Sequence, residues 1–285
     1  MLLNRSKHQI SSPVSATALI VDLRNFTSSL NASKKIGATI DAFCLFLSEF
    51  YAVCIDACLT ALPPQSRLEP PLYMNSTGDG VLIVFLGDCH VNSGFLAALL
   101  MHSVLMLKCE RYNSNIDPNY PRISFGIGVE SGEVSYVYAG GHNNRSATMV
   151  HTYIGECINI AARAEAMTKI FYGARTIIAH KTNELLCKKL FRQSYPGLIR
   201  KALDPTLPDK KRMAVHDKMN NLNRALCLTF IHHHNLRGVD EPTPLFRIAD
   251  SSANPGNPRF DLLIEKLCEG NDHRSDAIQF LSSSE

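Results

Sequence analysis

The stretch LYMNSTGDGVLIVFL, residues 72–86, decides the fold. Leu72–Thr77 and Val81–Leu86 read as strands, and Gly78-Asp79-Gly80 between them has the chemistry of a tight hairpin turn. Upstream, ATALIVD at residues 16–22 is a short apolar run ending on an acid, a buried strand that delivers the Asp22 carboxylate at its C-terminal edge. Between these strands, Gly37–Leu62 recurs with helical spacing, sets Asp41, Glu49 and Asp56 on one exposed stripe, and stops at Pro63-Pro64. Downstream, Gly94–Arg111 is apolar almost all round, as deeply buried helices are. Arg122–Glu130 is a glycine-spaced strand, followed by a turn at Gly132 and another strand through Tyr138. The order β-α-β-β-α-β predicts a ferredoxin-like split arrangement, an α+β fold with its helices on one face of the sheet.

The remainder extends this core. Ala139–Ser146 reads as a loop, Val150–Ile154 as a brief strand and Gly155–Thr168 as an alanine-rich helix. Arg175–Ala179, Ala225–His232 and Pro244–Ile248 suit strands, and Lys181–Lys189 suits a helix. Three parts follow: a lead-in over residues 1–14, a domain over 15–250 and a polar, serine-rich tail over 251–285. The domain is expected to carry an exposed basic insertion at about 200–223, where prolines stand at 205 and 208. The tail is expected to be an appendage with one amphipathic stretch, Phe260–Leu267.

Composition sets limits. With 45% apolar residues the chain can bury a full core, and a net charge of +3 gives no ground for nucleic-acid or membrane binding. The best bilayer candidate, Gly94–Leu107, is short and carries His102 and Ser103, and no leader precedes the domain. Nine cysteines without paired spacing suit reduced thiols, so a cytoplasmic location is expected. Cys54 and Cys58 share a helix face and read as packing. His232–His234 point to alternating faces of a strand and form no ligand set, and Gly126-x-Gly128 leads into a strand, unlike a dinucleotide loop.

Two acids carry the chemistry. In a β-α-β-β core the first strand lies beside the hairpin, so Asp22 and Asp79 converge at one sheet edge. Two carboxylates alone repel; a pair of Mg²⁺ or Mn²⁺ ions resolves this, because hard cations prefer oxygen ligands. The flanking glycines let phosphates approach the backbone closely.

From about Ala16 to Ile248 the chain resembles the class III nucleotidyl cyclases, on four pieces in the family's order. DLRNFT at residues 22–27 is similar to the first metal motif and STGDG at 76–80 to the second metal hairpin. ISFGIGVESGEV at 123–134 resembles the central hairpin, and GECINIAAR at 155–163 the helix that carries Asn and Arg. LRGVDEP at 236–242 is a weaker fifth piece, similar to the final hairpin. The resemblance implies two metal ions per site, held by Asp22, Asp79 and the Leu23 carbonyl, and terminal phosphates held by amides around Phe26 and Thr27. It implies that Asn159 orients the ribose while Arg163, one helical turn on, neutralises charge on the α-phosphate. In the family these two groups come from a second subunit, which implies a homodimer with composite sites.

Departures from the family bear on the substrate. Adenylate cyclases of this class read adenine with a Lys four residues before the second metal Asp and an Asp seven before the Asn; here those positions are Asn75 and Thr152. The Glu and Cys that read guanine are absent too. Asn75 and Thr152 each donate and accept, which suits a pyrimidine, and Tyr73 on the same strand face can fill the space a smaller base leaves. This pattern resembles the bacterial pyrimidine cyclases of Pycsar antiphage systems, which implies UTP or CTP as substrate, cUMP or cCMP as product and a separately encoded effector. An adenylate cyclase with an unusual base pocket, and a silent nucleotide-binding domain, are the alternatives. The family's late phosphate-binding Lys is out of place, leaving Arg237 or a lysine of the 201–218 segment to substitute. Roughly 230 of the 285 residues map to the core, so regulation is expected through a ligand, a partner or the tail.

Overall fold

A computed structural model describes residues 7–34, 37–63, 72–142, 147–171, 173–236, 239, 242–249, 256–268 and 274–282. In chain order, β1 (Lys7–Ile10) and β2 (Val14–Arg24) precede α1 (Phe26–Lys34) and α2 (Gly37–Ala61). The hairpin β3 (Leu72–Ser76) and β4 (Gly80–Leu86) leads to α3 (His90–Ser114), β5 (Ser124–His142), β6 (Ala147–Ile154) and α4 (Glu156–Met167). Then come β7 (Thr176–Ala179), α5 (His180–Phe191), α6 (Tyr195–Leu203), α7 (Asp209–Ala225), β8 (Leu228–His234), β9 (Thr243–Ile248), α8 (Pro258–Leu267) and α9 (Arg274–Ser282). Among the described residues nine strands form one sheet, ordered β3-β4-β2-β5-β7-β9-β8, with β1 and β6 paired to the outer half of β5. The first four places reproduce the split β-α-β-β-α-β core, with β2 antiparallel to both β4 and β5.

Side-chain alternation divides this sheet into two faces. Leu19, Val21, Ile83, Phe85, Phe125, Ile127 and Val129 point to one face and join α2 and α3 in the main core. The two helices of the split core, α2 and α3, share that face as expected, whereas α4, which follows the core, lies across the opposite face. Gly126, Gly128 and Gly132 of β5 form the trough beneath it: a Cβ at Gly128 would stand 1.9 Å from the Ala161 carbonyl oxygen, and one at Gly132 3.0 Å from Cys157 Cβ. Gly132 therefore admits a helix and makes no turn, and β5 runs unbroken for 19 residues. The strand exchanges partners instead, leaving β2 at Val134 and pairing with β6 from Ser135. It continues to His142, into the segment expected to be a loop.

Three further expectations are corrected. Among the described residues α2, over Ile40–Ala61, and α3 are long and apolar enough to cross a bilayer, in contrast to the expectation that no stretch exceeds the short Gly94–Leu107. α2 packs against α3 with one side exposed, and α3 packs on the sheet and is buried along most of its length. Its polar residues find partners there: His102 Nδ1 and Thr176 Oγ1 lie 2.9 Å apart, and Ser103 donates to the Leu99 carbonyl at 3.1 Å. The basic insertion is exposed along most of its length, as expected, but it is helical, α6 and α7, and anchored at its end, where Leu222 enters the main core and Asn223 donates to the Tyr195 hydroxyl at 3.0 Å. The tail is no appendage, since Phe260, Leu263, Leu267 and Ala277 of α8 and α9 pack into the same core. The lead-in also contributes β1, paired with β5. All nine cysteines are free, and burial pushes the Cys54 and Cys58 thiols far above their ordinary range, in keeping with packing roles.

Candidate active site

Asp22 sits at the end of β2, opposite Gly80, the first residue of β4. The hairpin tip is drawn against it by the Leu23 amide, which donates to the Asp79 carbonyl at 2.9 Å, and closed by Thr77 donating to Gly80 at 2.8 Å. Gly78 takes a φ of +97°, a conformation that strains any residue with a Cβ, and its carbonyl accepts from the Tyr51 hydroxyl of α2. Gly80 answers a different need: a Cβ there would meet the Val21 carbonyl oxygen at 2.7 Å and the Asp22 carboxylate at 3.2 Å. The two glycines thus hold the two acids together.

Beyond Arg24 the chain turns sharply. Asn25 adopts a left-handed φ of +60°, and its side chain donates to the Arg122 carbonyl at 2.8 Å. α1 starts immediately at Phe26, so its first amides, which lack intrahelical partners, belong to residues that share a cavity with the acids. Asp22, Leu23, Phe26, Thr27 and Asp79 line one open cavity of about 300 Å³. Their grouping offers two carboxylates and a backbone segment, an all-oxygen donor set that fits Mg²⁺ or Mn²⁺. Among the described residues no cluster of three or more His, Cys, Asp or Glu side chains gathers anywhere.

Lys169, which no sequence motif singled out, completes the cavity. It follows α4 and places Nζ 3.3 Å from Asp22 Oδ2 and 3.9 Å from Glu165 Oε2. Burial pushes the Asp22 carboxyl above its ordinary value, and the neighbouring Asp79 charge adds to this, while Lys169 opposes both. Burial likewise raises the Glu165 carboxyl and lowers the Arg24 guanidinium. Arg24 also lines the cavity and ties it to α4, donating to the Thr168 carbonyl at 3.0 Å and standing 3.9 Å from Glu165. The only local trace in the sequence is that Glu165 and Lys169 are i and i+4, two and six residues beyond Arg163, with Lys169 just past the end of α4.

The other expected residues lie elsewhere. Asn159 and Arg163 stand on α4's outward side, opposite the Cys157 and Ala161 surface that enters the glycine trough, and neither lines the cavity of their own chain. Asn75 is exposed on β3, and Tyr73, two residues before it, packs its ring 5.3 Å from Tyr153 of β6 and donates to the His151 carbonyl at 3.3 Å. Thr152 lies between those two β6 residues, half-buried. Arg237 lies outside the described residues. The lysines of the 201–218 segment sit on α6 and α7 and do not reach the acids, which corrects their candidacy for the phosphates.

No protein-family model matches the chain. It is 28% identical over 177 residues to an adenylate cyclase of Anabaena cylindrica, a match spanning 61% of this chain and 32% of that protein. The chain thus spans about a third of the length of this curated relative. Among solved structures, the adenylyl cyclase CyaB from P. aeruginosa superposes with a TM-score of 0.51 at 14% identity, over 86% of this chain and 96% of that one. The fold is that of a class III cyclase catalytic domain. A bacterial light-regulated adenylyl cyclase superposes on the same cyclase fold with a TM-score of 0.50 at 12% identity, over 96% of this chain and 57% of its own.

Proposed function

We propose that the chain is a metal-dependent pyrimidine nucleotide cyclase that converts UTP or CTP to the 3′,5′-cyclic monophosphate and pyrophosphate. The observation that carries this reading is the convergence of Asp22, Asp79 and the N-terminus of α1 in one cavity. Mg²⁺ or Mn²⁺ held by Asp22, Asp79 and the Leu23 carbonyl would lower the pKa of the ribose 3′-hydroxyl and neutralise the triphosphate. The amides of Phe26 and Thr27 take the terminal phosphates at the positive end of α1. Lys169 supplies the cation missing from its usual place, moving from Asp22 to those phosphates as substrate enters. The 3′-oxygen attacks the α-phosphorus in line and pyrophosphate leaves from the opposite side.

Asn159 and Arg163 complete the site from a second copy, Asn159 orienting the ribose and Arg163 neutralising the α-phosphate. Two observations support this homodimer. Both residues face away from their own sheet, and Ile20, Leu82 and Leu86 on the α4 face of the sheet remain only partly covered, an apolar surface suited to a second chain. Asn75 and Thr152 read the base, with Tyr73 filling the space beside it. The cyclic product activates a separate effector in antiphage defence.

A second reading, adenylate cyclisation, is favoured by the name of the Anabaena relative. Incubating the protein with ATP, GTP, CTP or UTP and Mn²⁺ separates the two. Cyclic product from UTP or CTP is expected. Product from ATP alone overturns the pyrimidine assignment, and no product from any of the four overturns the enzymatic one. Asp79→Ala should cut turnover on the order of 100-fold or more while the dimer mass is unchanged in light scattering.

A further inference from the structure

A second concavity, also about 300 Å³, lies where α5, α7 and α8 meet, lined by residues of none of the elements that carry the acids. Phe191 of α5, Arg224 of α7 and Arg259, Leu262, Leu263 and Lys266 of α8 line it. The α8 residues recur at i, i+3, i+4 and i+7, so one helix face presents two cations with an apolar floor between them. Arg224 closes the opposite side from the last turn of α7. No carboxylate lines this cavity, and among the described residues none of the three cations pairs with one. Lys266 Nζ instead rests 5.0 Å from the Phe191 ring centroid. Leu262 is 54% exposed, an apolar side chain left open beside the cations.

Charge distribution sharpens this. Residues 188–225 hold ten Lys or Arg against three Asp, a net +7, which leaves −4 for the rest of a chain whose total is +3. The near-neutral whole therefore hides a strongly electropositive region, and the cavity sits at its edge. A continuous track for a polyanion is a poor fit, because Asp217 interrupts the outward side of α7 between Lys210 and Arg224. A concave site matches one small ligand better, and its volume falls at the lower end of ligand clefts. Two guanidinium groups and an ammonium suit phosphate oxygens, while Phe191 and Leu262 suit a flat or apolar group attached to them.

We infer that this cavity binds a small phosphorylated anion carrying a planar or apolar group, at about mononucleotide size. The inference stands apart from the cyclase reading and is tested without turnover. Titration calorimetry in EDTA, which keeps divalent ions from the carboxylate cavity, is run with a nucleoside 5′-monophosphate (UMP), inorganic phosphate and a single-stranded oligonucleotide as probes. UMP should saturate one site per chain and bind more tightly than inorganic phosphate. Arg259→Glu and Lys266→Gln should each weaken it at least tenfold; glutamate near the start of α8 suits that helix end, so the fold is kept. Lys210→Glu, elsewhere on α7, and Lys169→Ala, in the carboxylate cavity, should leave it unchanged. Equal losses in Lys210→Glu and Arg259→Glu, loss in Lys169→Ala alone, or no saturable UMP binding overturn the site. Inorganic phosphate matching UMP overturns the planar group, and tighter oligonucleotide binding overturns the small-ligand class.

Discussion

At Asp22, burial and the Asp79 charge disfavour the carboxylate while Lys169 favours it, so the lysine offsets the crowding of Asp22 when no substrate is bound. Lys169→Ala is expected to raise KM for the nucleotide roughly 10-fold, from one lost charge-assisted contact, with a smaller change in kcat; an unchanged KM in steady-state assays removes Lys169 from the phosphate site. A second carboxyl is governed by burial at a distance from the chemistry. Glu130 of β5 is fully enclosed and accepts from the Lys181 and Thr182 amides at the start of α5, at 3.1 and 3.2 Å. Burial outweighs these bonds and pushes its pKa from 4.5 up to about 7. With the folded value above the unfolded one, its contribution to stability is full below pH 4.5 and is lost as pH rises through 7. Thermal unfolding should therefore show wild type losing several degrees relative to Glu130→Gln between pH 5 and 8; a constant gap refutes this account. Asp22 and Asp79 were legible because acids at strand ends have few other uses. Lys169 was not, because its partner lies 147 residues away and no motif links them.

Among the elements, the strand–turn–strand of residues 72–86 and the two long helices were legible from alternation and spacing, and they stand within a few residues of their expected bounds. β5 was misread for a physical reason. Glycine in a strand can mark a turn or a close approach, and only the position of α4 distinguishes them. That helix presents Cys157 and Ala161 to the trough, with the Glu165 backbone against Gly128, so the fit depends on close approach from both sides. Gly128→Ala should cost about 3 kcal/mol or more in urea unfolding, because its Cβ meets backbone that cannot move aside. A cost below about 1 kcal/mol would mean that α4 shifts freely on the sheet. The seat of α4 was not legible for a similar reason: it has an apolar side like any packed helix, and nothing in its own sequence says which side of the sheet receives it.

Across the whole molecule, the split core was legible but the segments around it were read as more detached than they are. Pro205 and Pro208, the basic residues and the serines suggested loops, yet the prolines border helices and the apolar residues of those helices reach the main core. Phe260, fully buried on α8, makes this testable: Phe260→Ala should destabilise the protein by about 3–5 kcal/mol in denaturant titration, whereas an appended tail would lose almost nothing. The site was only partly legible because one chain presents its acids and its Asn159–Arg163 pair on separate surfaces. One consequence of the unbroken β5 concerns phase. Its even-numbered residues include both the trough glycines and Tyr136, whose ring lies 5.3 Å from Tyr153 beyond the partner exchange. A strand has a period of two, so one residue inserted at the exchange would keep the trough and invert Tyr136. Helix seat and tyrosine cluster are therefore locked in the same parity, and the joint between them accepts insertions only in pairs.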